Sequence, residues 1–310
     1  MSYKQILSRV ETRWLSLLRV VSRVLELWPA LLSYFTSHPE VERRGRVQSI
    51  KEHLCDEVKL YLLFLDFLLP TVNAFNVAFQ ATTYTTIHLL HPKMRKLTKR
   101  ILRYFVIADR IDITDVTATV YQERENQVAD DELEVGESTR VLAAELTEQG
   151  MEHVVSAFCD HVRLFYCAFV NTLMKKFPFQ SSLFLDLRML NPAERLGFQD
   201  LPNAVVRLAK LFPQLRRGEK LDQLKTEAFD LQIAGAEDLP DTNDVDDFWA
   251  KLHQIKSPGS SELTYSTLLV LVRALLALPA SNADSEHCFS MVRKILKIAL
   301  TFTAAQLLSF

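Results

Sequence analysis

Residues 275–290 read LLALPASNADSEHCFS and predict two helices separated by a short polar turn. The apolar run of the first helix ends at Pro279, because a proline removes a backbone donor and breaks a continuing helix. The Ser-Asn pair two positions later is typical of a helix N-cap. Asp284 and Glu286 would then lie in the first turn of the second helix, where the helix dipole favours negative charge.

The rest of the chain has the same helical periodicity. Only 7 of the 310 residues are glycine and 11 are proline, which favours long helices over many turns. We expect helices over residues 14–37 with a reset at Pro29, over 49–69 behind a capping box, over 70–79 from Pro70, and over 92–105, 145–176 and 268–278. Acidic stretches without a period, 109–137 and 235–247, predict irregular connections, and no strand is expected at 111–116. The predicted fold class is mainly α.

Residues 278–290 resemble the C-terminal dimerisation signature of the hAT (hobo–Activator type) transposases, usually seen as L-P-x-S-x-A-x-S-E-R-x-F-S. Thr12-Arg13-Trp14 resembles the block that opens the large helical insertion of these proteins. Residues 159–178 with 187–192 are similar to the middle of that insertion, and Phe248-Trp249 to its return into the catalytic core. The resemblance covers most of the chain in the right order.

Two regions follow from this resemblance. It implies a helical insertion-type domain over residues 1–245, with an acidic loop at about 109–137. Residues 246–310 are expected to form the hAT C-terminal dimerisation region, which is a C-terminal fragment of an RNase H-like core. Self-association is expected through residues 262–310, with a second copy or a related hAT-derived protein as the partner.

The apolar helix in this region supplies most of the expected dimerisation residues. They are Leu268, Leu271, Leu275 and Phe289, which should face a partner or the adjoining helices. The run 268–278 is much shorter than the ~20 residues that a bilayer requires. The sequence leaves open whether it lies in a subunit interface or in the core of one subunit.

The resemblance also bears on catalysis. The family holds two metal ions with two aspartates and a late glutamate, and Glu286 matches the glutamate. The aspartates are expected upstream of Thr12, where residues 1–11 contain no Asp. We therefore expect the chain as it stands not to be an enzyme and to need no cofactor, with Mg²⁺ only if a complete catalytic core is present. Glu286 is then a vestigial match, and its alternative role is a first-turn carboxylate at a helix N-terminus. His287 replaces the usual Arg and removes its bidentate contact.

A local basic surface is the candidate DNA contact, because the net charge of −2 excludes a broadly basic protein. Helix 92–105 is amphipathic, and its cations recur at helical spacing, which can neutralise successive phosphates. The alternative is a solvated surface face. Trp14 could stack on an unpaired base, as the resemblance implies, or could be a core tryptophan. The candidate DNA-binding residues are Trp14, Lys93, Lys96, Lys99, Arg100 and Arg103.

Other partners and sites are not expected. His153, Cys159 and His161 are too far apart along a helix for a metal cage, so no metal site is expected. We expect no signal peptide, no membrane segment and no small-molecule substrate, and a nuclear location by family resemblance. Two alternatives stay open: the distal fragment of an active DNA transposase that uses metal-dependent strand cleavage, and a non-catalytic DNA-binding module.

Overall fold

The computed structural model describes residues 14–37, 50, 53–78, 87–195, 198–257, 259 and 261–278. Within this part the chain is mainly helical and forms no strand, which confirms the predicted class in its coarse form. The α-helices are α1 (Trp14–Ser37), α2 (Asp56–Ala78), α3 (Leu90–Arg103), α4 (Glu137–Glu148), α5 (Glu152–Lys176), α6 (Ser182–Asp186), α7 (Pro192–Arg195), α8 (Leu201–Ala209), α9 (Gly218–Ile233), α10 (Val245–Leu252) and α11 (Ser266–Leu276).

Two prolines lie inside helices that the sequence pattern divides. Pro29 lies inside the continuous helix α1 and Pro70 inside α2, so the predicted separate helix starting at Pro70 is wrong. An internal proline removes one backbone hydrogen bond. In α2 the buried side chains Phe64, Leu68 and Leu69 precede Pro70 and fix the helix against the core. Ser49 and Glu52, the two ends of the predicted capping box, lie outside the described residues.

The predicted helix 145–176 is two helices, because Gly150 ends α4 with a φ of 79°. The amide of Met151 donates to the carbonyl of Leu146, and the amide of Gly150 donates to that of Thr147. This pair of hydrogen bonds is the Schellman motif, which places a glycine in the left-handed conformation after a helix. Gly150 therefore marks the end of α4 in the sequence, although the apolar periodicity continues past it.

The chain folds into two compact units. One contains the described residues within 1–76 and 94–177, and the other contains those within 77–93 and 178–310. The boundary expected after residue 245 does not coincide with a boundary between these units. The reason is that α10 and α11 bury Trp249, Leu252 and Leu268 in the same core as α8 and α9.

Aromatic side chains fill the core of the first unit. Tyr166 stacks on Phe105 with ring centroids 5.4 Å apart, and its hydroxyl donates to the carbonyl of Glu134 at 2.7 Å. The acidic segment 109–137 contains only short 3₁₀ turns before α4, in agreement with the predicted loop. It is not a free linker, because Ile111, Val116 and other apolar residues in it are buried.

Helix α2 is the one described helix that is long and apolar enough to cross a membrane, by length and composition alone. Its 23 residues make it longer than the apolar run 268–278. Three of its side chains, Leu60, Phe64 and Leu68, lie in the core of the first unit, and Leu69 is also buried. Since the core helix of a soluble protein passes the same test, α2 is weak evidence for a membrane span.

Candidate nucleic-acid interface

Helix α3 has the two faces that its sequence predicts. Met94, Leu97 and Ile101 are buried, and Tyr104 is half-buried directly after the helix. The opposite side carries six cations, of which Lys96, Arg100 and Arg103 are exposed while Lys93, Arg95 and Lys99 are half-buried. The core therefore fixes the helix so that its cations face outward.

Four of these cations form a continuous line, which we name the basic stripe: Lys93, Lys96, Arg100 and Arg103. They repeat at spacings of three and four residues, so they follow one side of the helix over about 15 Å. That length corresponds to about four phosphate steps along one strand of a duplex. Within the described residues, no hydrogen bond or ion pair involves the side chain of Lys93, Lys96 or Arg103, and Arg100 Nε donates to the hydroxyl of Tyr104 at 2.9 Å.

The other two cations are already engaged by the loop that follows the helix. Arg95 Nη2 donates to the carbonyls of Ile113 at 3.2 Å and Thr114 at 2.6 Å, and Lys99 Nζ donates to the carbonyl of Ile113. Burial and the nearby Arg95 lower the pKa of Lys99, although Asp112 opposes the shift. Lys99 therefore has a partner within the protein, and its contact with DNA stays a prediction.

We name residues 112–115 the acidic tip. Asp112 Oδ1 accepts hydrogen bonds from the amides of Thr114 at 2.7 Å and Asp115 at 2.8 Å, which closes a tight turn. Asp115 Oδ1 accepts from both the amide and the hydroxyl of Thr117. These bonds, and the charge of Arg95, lower the pKa of Asp115. All four residues of the tip are exposed, so two carboxylates lie on the surface beside the basic face.

The predicted dimerisation residues do not lie on α3. Leu268, Leu271 and Leu275 are fully buried (0% exposed) in the core of the second unit, and Phe289 lies outside the described residues. Of the two alternatives that the sequence left open, these three leucines therefore face the adjoining helices. Glu286 also lies outside the described residues, as does the side chain of Trp14, the first residue of α1.

A buried carboxylate that the sequence did not single out holds α11 in place. Glu227 on α9 accepts hydrogen bonds from the amides of Thr267 at 3.1 Å and Leu268 at 2.7 Å, and Gln223 Nε2 also donates to it. The first amides of a helix have no partner within the helix, so a carboxylate from a neighbouring helix satisfies them. No local pattern marks this role of Glu227, because the amides that it satisfies are about 40 residues away.

The histidines and the cysteine considered as metal ligands have other environments. His161 Nδ1 lies 2.7 Å from the hydroxyl of Tyr61, and His153 is exposed. Cys159 is buried, and burial raises the pKa of its thiol. Among the residues that the structure describes, no group of three His, Cys, Asp or Glu side chains is arranged to hold a metal ion.

A cavity of about 480 Å³ lies between α4, α5 and the loop before α4. Two of its four charged lining residues, Asp130 and Arg140, are paired within the protein. Asp130 forms ion pairs with Arg124 and Arg163, and Arg140 donates to the carbonyls of Asp131 and Leu133. The basic stripe is therefore better suited to hold a charged ligand than this cavity is.

No protein-family model matches this chain, and no curated protein or solved structure is significantly similar to it. The family resemblance therefore depends on the sequence motifs alone.

Proposed function

We propose that this chain is a transposase-derived protein of the hAT type that acts without cutting DNA. It contacts DNA through the basic stripe of α3 and associates with a second copy or a related protein through its C-terminal region. The resemblance rests on the order of residues 278–290, which departs from the family signature only at His287. The DNA contact rests on four cations aligned on a helix whose opposite face is fixed in a core.

The proposal includes the origin of the C-terminal region. Residues 246–310 derive from the end of an RNase H-like core, in which α10 and α11 precede the segment with Glu286. A single matched carboxylate cannot hold two metal ions. Incubating the purified chain with a supercoiled plasmid and Mg²⁺ tests this point. We expect no nicking, whereas nicking that disappears in Glu286→Gln would overturn the absence of catalysis.

The DNA contact is tested by removing three exposed cations of the stripe together. Lys96→Ala/Arg100→Ala/Arg103→Ala should weaken binding to a 20-base-pair duplex by about 30-fold at low salt, because each cation neutralises a phosphate. The matched control is Lys210→Ala/Lys220→Ala/Lys225→Ala, which removes three exposed cations of the second unit. Equal losses in the two variants would show that overall charge, and not the stripe, binds DNA.

Self-association is proposed to use residues 279–310, because the leucines of α11 are committed to the core. Phe289 is the aromatic side chain of the signature, and a buried aromatic anchor commonly dominates an interface. Light scattering after size exclusion should give a dimer for the natural chain and a monomer for Phe289→Ala. Phe229→Ala, at a half-exposed site on α9, is the control that should stay dimeric. A natural chain that is monomeric at high concentration would contradict the proposal.

A second candidate function is the distal part of an active transposase. Glu286 at the position of the family glutamate favours it, because that residue serves strand cleavage in the family. The adjoining genomic DNA distinguishes the two functions. An upstream reading frame with RNase H-like strands and two aspartates would favour the active enzyme.

A nuclear location is part of the same proposal, since a protein that contacts chromosomal DNA must reach it. A fluorescent fusion of the full chain should concentrate in the nucleus. A uniform or exclusively cytoplasmic signal would count against the proposed DNA contact.

A further inference from the structure

The basic face of α3 is divided between two uses. Arg95 and Lys99 donate to backbone carbonyls of the acidic tip, while three of the four side chains of the basic stripe are exposed. Arg95 Nη2 and Lys99 Nζ therefore have fewer N–H groups left to donate to a phosphate oxygen. The tip thus partly engages, within the protein, two of the six cations that a polyanion would otherwise meet.

We infer that the acidic tip competes with DNA for the cations of α3. The tip thereby confines DNA to the basic stripe and lowers the affinity of the protein for DNA. This inference rests on the proposed DNA contact and adds its regulation by the protein's own loop. The carboxylates of Asp112 and Asp115 are exposed beside the cations, so they repel an approaching phosphate. Salt at 0.1 M screens this repulsion over a distance of about 10 Å. The repulsion therefore acts only on DNA that lies along this side of α3.

The tip is fixed rather than hinged. Ile111 and Val116, which flank it, are both buried, and Asp112 closes the turn with two backbone hydrogen bonds. The amide of Asp112 also donates to the hydroxyl of Thr119 at 3.0 Å. We therefore expect the tip to act on DNA through its charge and not through a hinge motion.

The charge of the tip can be removed without removing its hydrogen bonds. Asp112→Asn and Asp115→Asn retain a side-chain oxygen that accepts from the amides of Thr114, Asp115 and Thr117. The double variant should therefore keep the turn and lose only the repulsion. A charge-matched control is Glu145→Gln/Glu148→Gln, which neutralises two exposed carboxylates on α4.

The experiment measures the affinity of the full-length variants for the 20-base-pair duplex by fluorescence anisotropy. At 50 mM salt, Asp112→Asn/Asp115→Asn should bind about fivefold more tightly than the natural chain, and the control should change by less than about twofold. The gain should disappear at 0.5 M salt because surface charges are then screened. Thermal unfolding checks that both variants keep the natural stability.

The outcomes separate this inference from the proposed function. Equal affinities of the tip variant and the control would overturn the inference and leave the DNA contact intact, provided that the stripe variant still binds weakly. Binding by the tip variant alone would support the inference, since the natural tip would then block the stripe. Absence of binding by every variant would overturn the DNA contact and the inference with it.

Discussion

At the scale of single residues, buried polar groups join the helices of the second unit through hydrogen bonds. Glu227 satisfies two amides at the start of α11, and Trp249 Nε1 donates to the carbonyl of Leu190 at 2.9 Å. Asp186 accepts two hydrogen bonds from Arg207, both 2.8 Å long. Each pair joins residues that are distant in the sequence, so composition and periodicity could not predict them.

Glu227→Ala should destabilise the second unit by about 2–4 kcal/mol, because it leaves two buried helix amides without a partner. Urea unfolding followed by circular dichroism measures the loss. Lys220→Ala, at an exposed site of the same helix, is the control and should change stability by less than about 0.5 kcal/mol. A similar change in the two variants would show that Glu227 does not hold α11.

His88 should make the second unit sensitive to acid. Its ring is buried, Nδ1 has no hydrogen-bond partner, and burial lowers its pKa against the opposing effects of Asp246 and Glu194. The unfolded chain therefore binds a proton more readily than the folded one near the ordinary pKa of 6.5. The free energy of unfolding therefore keeps its full value above this pH. It decreases as the pH falls through 6.5 to lower values.

The measurement compares unfolding free energies at pH 7.5 and pH 5 for the natural chain and His88→Leu. The natural chain should lose more stability than the variant over this interval. Equal losses would assign the acid sensitivity to other groups.

At the scale of elements, the helices follow from apolar periodicity but their ends depend on particular residues. The pattern located α1 and α3 well because each has one apolar face. The prediction joined α4 to α5 because it overlooked Gly150 as a helix end. It divided α2 because it took Pro70 as the start of a new helix. Burial therefore outweighs the helix-breaking effect of Pro70 in α2, whereas Gly150 does end α4.

The start of α4 requires a glycine. Gly136 has a φ of 86°, and a Cβ atom there would lie 2.7 Å from the Cβ of Phe67 on α2. Gly136→Ala should therefore destabilise the first unit by about 2–4 kcal/mol through strain and overpacking. The matched control is Gly218→Ala, which meets no atom within 4 Å and should be neutral or stabilising. Urea unfolding should show a loss of stability only in Gly136→Ala, and similar destabilisation of the two variants would contradict the close approach.

At the scale of the whole molecule, the sequence predicted the helical class and the amphipathic helix α3. The amphipathic pattern of α3 is local, so its buried and exposed faces could be read directly. The engagement of Lys99 by Ile113 and the burial of Leu268 depend on contacts between distant segments. The candidate DNA surface was therefore predictable in position, whereas the cations that are free to bind could be identified only in the folded chain.

The salt dependence of duplex binding tests the central claim most directly, because its slope reports how many phosphates the protein neutralises. For the natural chain, the slope of log K against log salt should correspond to about three to four phosphates, as the basic stripe provides. Lys96→Ala/Arg100→Ala/Arg103→Ala should reduce the magnitude of the slope by about three. An unchanged slope in that variant would contradict the assignment of α3 as the DNA-contacting surface.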